Sequence, residues 1–165
     1  MESIVSDTTT LIVLGKLDRY DLLENLFKKI YIPQEVMREV SKKSDGISKK
    51  INAHSLFEIK QISDFSLLRL LDGLLDLGES EAIVLAKELH MILLIDEKKG
   101  RKIAKSMNLD IIGLLGVLIL NVRKEKISKE EATVVLEAMK ALKFRVSKKL
   151  EESFLLVIRR ALTPS

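Results

Sequence analysis

The stretch that decides the fold is Gly78–Ala104, GESEAIVLAKELHMILLIDEKKGRKIA. Its middle, Met91-Ile92-Leu93-Leu94-Ile95, is a short unbroken apolar run. A run of this length bounded by polar residues suits a strand buried on both faces. Ahead of it, Ala82, Ile83, Leu85, Ala86 and Leu89 recur at helical spacing, which predicts a helix from about Glu79 to Glu88. Behind it, Lys98 to Lys105 reads as another helix, with Ile103 and Ala104 turned inward. Helix, buried strand, helix is the repeating unit of an α/β fold. Asp96 and Glu97 then fall just past the carboxyl end of the strand. Open parallel sheets bind their ligands at that edge, because the loops there part and leave a crevice.

Working outward, Ile4-Val5 predicts a first strand ending at Asp7, followed by the hydroxyl-rich turn Thr8-Thr9-Thr10. Thr8 or Thr9 is expected to cap a helix whose leucines run to about Lys29. Ile30-Tyr31-Ile32 predicts a second short strand, and Pro33 opens a helix carrying Val36, Met37 and Val40 inward. Ser41 to Lys50 reads as a loop or frayed helix end, Leu56 to Ile62 as an edge strand, and Asp64 to Leu75 as a helix. Leu109 to Ile112 is a further strand, Leu114 to Arg123 a helix, and Ser128-Lys129-Glu130-Glu131 a capping box opening another. Phe144 to Val146 reads as a short strand or turn, and Ser147 to Leu162 as an amphipathic closing helix. Strands alternating with helices predict a three-layer α/β/α sandwich around a short, mostly parallel sheet. Residues 1–165 are expected to form a single domain, with a core over about 3–124 and a helical extension over about 125–165.

Composition narrows the chemistry. Cysteine is absent, which removes disulfides, thiolate zinc sites and cysteine nucleophiles and fits a reducing cytoplasm. The start MESIVSDTTT has no basic segment followed by an apolar one, so no secretory signal is expected, and no apolar run is long enough to span a bilayer. With 28 Lys and Arg against 24 Asp and Glu, the net charge is +4, an excess that permits a nucleic-acid partner without demanding one. A glycine-rich phosphate loop is ruled out by Asp7-Thr8-Thr9-Thr10. A phosphatase with two aspartates one residue apart is ruled out by Thr9.

What remains is a set of acids at one predicted edge. Asp7 ends the first strand, Glu39 follows the second, Glu79 and Glu81 open the central helix, and Asp96 with Glu97 ends the central strand. Any one of them reads equally well as a helix cap or a solvated group, and Glu39 can pair with Lys42 or Lys43. Their joint placement is the signal. Crowded carboxylates repel, and either a raised pKa or a bound cation must offset the repulsion. Oxygen donors without Cys suit Mg²⁺ or Mn²⁺, ions that bind phosphate oxygens and assist phosphodiester cleavage. Lys99 and Arg101, close behind Asp96, are placed to hold a phosphate backbone.

Ser6-Asp7-Thr8-Thr9, Ile32-Pro33 with Val36 and Glu39, Gly78-Glu79-Ser80-Glu81-Ala82-Ile83, and Leu94-Ile95-Asp96-Glu97 with Gly100-Arg101, taken in this order, resemble the PIN-domain superfamily. More narrowly they resemble prokaryotic proteins related to VapC toxins. The resemblance covers about Ile4 to Leu120 and implies an Mg²⁺- or Mn²⁺-dependent endoribonuclease, with RNA as substrate, an antitoxin protein as a partner and homodimers common. It implies Asp7, Glu39, Glu81 and Asp96 as the acidic site, with Thr8 or Thr9 supporting the first Asp. Glu79 competes with Glu81 for the third place, and Glu97 is an extra ligand or a structural neighbour. A non-catalytic PIN fold that binds RNA or a protein is the alternative implied.

Overall fold

The first strand, β1 (Glu2–Ser6), carries Ile4 and Val5 side by side with neither exposed, so both of its faces are covered. A computed structural model describes residues 1–161. In chain order β1 is followed by α1 (Thr8–Lys16), α2 (Asp21–Glu24), β2 (Phe27–Pro33), α3 (Gln34–Lys43), α4 (Asp45–Asn52), β3 (Phe57–Lys60), α5 (Phe65–Leu71) and α6 (Leu77–Leu89). Then come β4 (Ile92–Leu94), α7 (Lys98–Ser106), β5 (Ile111–Ile112), α8 (Leu114–Arg123), α9 (Lys129–Ala141) and α10 (Lys148–Ala161). All pairings are parallel and the strand order is β3-β2-β1-β4-β5. This five-stranded sheet, flanked by ten helices among the described residues, is a PIN-like α/β/α sandwich.

The order positions the site. The chain walks outward from β1 through β2 to β3, then crosses back to place β4 on the other side of β1. Loops leaving β1 and β4 therefore diverge, and the sheet has its switch point between them. Ile4, Val5 and Ser6 pair with Ile92, Leu93 and Leu94, which brings the residues just after both strands to the same spot.

Several local readings differ from the sequence expectation. The cap of α1 is Asp7 itself, whose side chain accepts from the Thr10 amide, and neither Thr8 nor Thr9 caps that helix. β2 begins at Phe27, earlier than its apolar run, because Lys29 turns its ammonium to the Ser55 carbonyl at 3.0 Å and the backbone pairs regardless. The polar segment after α3 is helical: Ser44 accepts from the Ile47 amide at 3.2 Å, and Ile47 and Ile51 are buried one turn apart in α4. α5 stops at Leu71, where Asp72 becomes extended and Gly73 takes a left-handed φ of 80°. α6 starts at Leu77, with its amide at Glu79 bonded to Asp76 at 2.8 Å. Phe144 to Val146 forms neither helix nor strand, α10 begins at Lys148, and Leu162 lies outside the described residues.

The core is continuous across the sheet. α6 rests on β1, β2 and β4 and lies against α3, while α8 packs with α2, α9 and α10. Phe154 and Ile158 of α10 are almost fully buried, so the C-terminal helices share the core. Asn121, buried within α8, donates to the Leu22 carbonyl at 3.0 Å and accepts from Asn25 at 2.8 Å, which ties α8 to α2 and the residue that caps it.

Candidate active site

Asp7 and Asp96 meet at the switch point. The Asp7 amide continues the ladder by donating to the Leu94 carbonyl at 3.0 Å. Its carboxylate then accepts from two backbone amides on different elements: Thr10 to Oδ1 at 3.0 Å and Asp96 to Oδ2 at 3.1 Å. Asp7 is only 3% exposed. Burial pushes its pKa up, against the opposing pull of those two amides and of Arg101. Asp96 takes the Leu114 amide on Oδ2 at 3.0 Å and the Thr10 hydroxyl on the same oxygen at 3.5 Å. Burial and the nearby Asp7 charge raise its pKa to about 7, with the Leu114 amide, Arg101 and Thr10 pulling the other way.

Glu39 approaches from α3. Thr8, buried at the start of α1, donates its hydroxyl to Glu39 Oε2 at 2.8 Å. On its other side the Glu39 carboxylate lies on Gly78, where an added Cβ would fall 2.7 Å from Cδ and 2.8 Å from Oε2. Glycine at 78 is what lets a carboxylate lie against the first turn of α6. Glu79, the next residue, sits with Asp76 and Glu97, and its carboxylate lies over Gly100 at the start of α7. Burial and these two neighbouring acids raise its pKa to about 8. Glu97 caps α7, accepting from the Gly100 amide at 2.6 Å.

The two candidates for the third acid are thus sorted to different places. Glu81 reaches the start of α3 and accepts from the Glu35 amide at 3.2 Å. Glu79 faces the Glu97 side of the crevice. Thr9 is exposed and touches none of the acids through a hydrogen bond among the described residues. Arg101 donates to the Ile95 carbonyl at 2.8 Å, and its guanidinium, like Asp96, borders Gly113. Lys98, Lys99, Lys102 and Lys105 are exposed along α7.

Two residues were not singled out from the sequence. Asp76 belongs to Asp76-Leu77-Gly78-Glu79, a capping-box spacing that was legible. Thr10 had no local signal, because its role depends on the β1–β4 pairing.

Among the described residues no three His, Asp or Glu side chains already converge as a metal cage. The acids come as two linked groups: Asp7 with Asp96, and Glu79 with Asp76 and Glu97. In kind, the donors fit a hard cation, since all are carboxylate or hydroxyl oxygens. Burial is the main cause of the raised pKa values of Asp7, Asp96 and Glu79, and neighbouring carboxylates add to it at Asp96 and Glu79.

A parallel sheet with paired aspartates at its switch point defines a class of α/β proteins whose site is built from carboxylates. The chain belongs to the PIN-domain family: the model of DUF3368, a PIN domain, matches residues 3–159. PIN domains are generally nucleases and typically use divalent metals. No curated protein matches the sequence. Among the described residues no helix is long and apolar enough to cross a membrane.

Proposed function

We propose that this protein is a metal-dependent endoribonuclease that hydrolyses phosphodiester bonds of RNA, with Asp7, Asp96, Glu39 and Glu79 or Glu81 forming its acidic site. The observation that carries this reading is the meeting of Asp7 and Asp96 at the switch point, joined by the Asp96 amide on Asp7 Oδ2. Asp7 and Asp96 would hold Mg²⁺ or Mn²⁺, with Glu39 approaching from α3 and Glu97 beside Glu79. When bound, such an ion supplies charge neutralisation at a phosphate oxygen and makes water more acidic.

The chain's own side chains do the rest. The Thr10 and Asp96 amides and the Leu114 amide fix the two carboxylates before any ligand arrives, so little reorganisation is required on binding. Thr8 holds Glu39 toward the crevice. Arg101 lowers the pKa of both aspartates, which favours their charged, ion-binding form. Lys99 and its exposed neighbours on α7 offer ammonium groups to the RNA backbone beside the acids. The same reading includes a partner protein of the antitoxin kind and a homodimer, both open to co-purification and sedimentation.

The test is cleavage of single-stranded RNA with Mg²⁺ or Mn²⁺ by the wild type, Asp7→Asn and Asp96→Asn. The expected result is metal-dependent cleavage by the wild type alone. Equal activity in all three rejects the assignment. A second reading is RNA binding without cleavage; among the described residues the acids stand in separate groups with no three converging. Wild type that binds RNA in EDTA and never cleaves it with metal would select that reading.

A further inference from the structure

We propose that Thr10 is a positioning residue that sets the Asp7 and Asp96 carboxylates relative to each other; this rests on the nuclease reading above. Thr10 lies in the first turn of α1 and is completely buried. It cannot touch RNA, so its part is indirect. It is the one residue with a hydrogen bond to each aspartate side chain among the described residues: its amide donates to Asp7 Oδ1 at 3.0 Å and its hydroxyl to Asp96 Oδ2 at 3.5 Å.

The direction of the hydroxyl carries the inference. A threonine inside a helix commonly turns its hydroxyl back to a carbonyl of its own preceding turn. In the first turn of α1 the hydroxyl instead reaches across to Asp96, two residues past β4 and 86 positions away in sequence. Asp96 Oδ2 is then held from two sides, by α1 through Thr10 and by the start of α8 through the Leu114 amide. Two adjacent carboxylates repel, and a pair left to rotate would swing apart. Holding one oxygen of each from a single turn fixes the two carboxylates relative to each other, with Asp7 Oδ2 bonded in turn to the Asp96 amide. Groups that orient metal-binding side chains in this way typically change metal affinity by about 10- to 100-fold when removed. The long hydroxyl bond places Thr10 at about the tenfold end of that range.

The test compares full-length wild type with Thr10→Val, which keeps the shape and loses the hydroxyl, and Thr10→Ser, which keeps the hydroxyl. Thr10→Ala, paired with Thr10→Ser, gives the same comparison if valine does not fold. Two readouts are taken. In metal-free protein, amide hydrogen exchange at Leu114 reports whether its acceptor, Asp96, stays in place. In metal-loaded protein, Mn²⁺ affinity is measured by electron paramagnetic resonance. The expected result is exchange at Leu114 and Mn²⁺ dissociation each raised about tenfold in Thr10→Val, a factor in line with a lost hydrogen bond to a charged group, and both restored in Thr10→Ser. Unchanged Leu114 exchange in Thr10→Val overturns the role of Thr10, as does unchanged Mn²⁺ affinity. Wild type that binds no Mn²⁺ and cleaves no RNA overturns the nuclease reading instead, and Leu114 exchange then still decides whether Thr10 holds Asp96.

Discussion

Replacing Gly78 by alanine separates a glycine kept for the site from one tolerated by the helix. The new Cβ would fall 2.7 Å from Glu39 Cδ and 2.8 Å from Oε2, closer than carbon contacts allow. Glu39 is a flexible side chain and can swing away, but doing so breaks its 2.8 Å bond from the Thr8 hydroxyl. A hydrogen bond to a charged group contributes about 1.5–3 kcal/mol. Against that, alanine in place of glycine within a helix stabilises by about 0.5–1 kcal/mol. The net expectation is a loss of about 0.5–2.5 kcal/mol in urea unfolding, with Mn²⁺ affinity lowered about tenfold as Glu39 leaves its place. In a Glu39→Ala background the clash and the bond are both gone. There Gly78→Ala should stabilise by about 0.5–1 kcal/mol, so the effect changes sign around the double-mutant cycle. The same sign in both backgrounds, or full Mn²⁺ affinity in Gly78→Ala, refutes the reasoning.

Glu79→Gln should weaken Mn²⁺ binding. Glu81→Gln should leave it unchanged, because a glutamine carbonyl still accepts from the Glu35 amide at the start of α3; calorimetric titration of the two variants distinguishes them. In EDTA, the Asp96 pKa is raised from 3.8 to about 7, so its protonated form stabilises the fold fully below about pH 4 and that contribution fades as pH rises to about 7. Urea unfolding across that window should show Asp96→Asn removing a decline on the order of 4 kcal/mol, in the metal-free protein only. Lys99→Ala should weaken single-stranded RNA binding across sequences and reduce the slope of log affinity against log salt by about 0.7, read by fluorescence anisotropy.

The parts of the fold legible in the sequence are those whose apolar residues run together. Met91 to Ile95 and Ile4-Val5 are unbroken because both faces of β4 and β1 are covered, and an all-parallel sheet points their carboxyl ends the same way; that they are neighbours is seen only in the pairing. From there Asp7 and Asp96 could be placed at one edge before any coordinates. β2 was read short because Lys28 and Lys29 interrupt its pattern while their backbone still pairs. The start of α4 was read as a loop or frayed helix end because Gly46 and three polar residues, Ser48, Lys49 and Lys50, outweigh two isoleucines. The choice between Glu79 and Glu81 was open for a geometric reason. Residues two apart on a helix point about 200° apart, so only one can face the crevice, and which one depends on how α6 is rotated against α3. That rotation is set by Glu39 on Gly78 and Glu35 against Glu81, contacts between distant segments. The threonines follow the same logic: Thr8 serves Glu39, Thr10 serves both aspartates, and Thr9 between them faces solvent.

The most direct measurement is a crystal of the protein grown with Mn²⁺, with data collected at the manganese absorption edge. An anomalous peak within bonding distance of both the Asp7 and Asp96 carboxylates is the expected result. Manganese bound elsewhere, with the aspartates still holding only their Thr10, Asp96 and Leu114 donors, would contradict it.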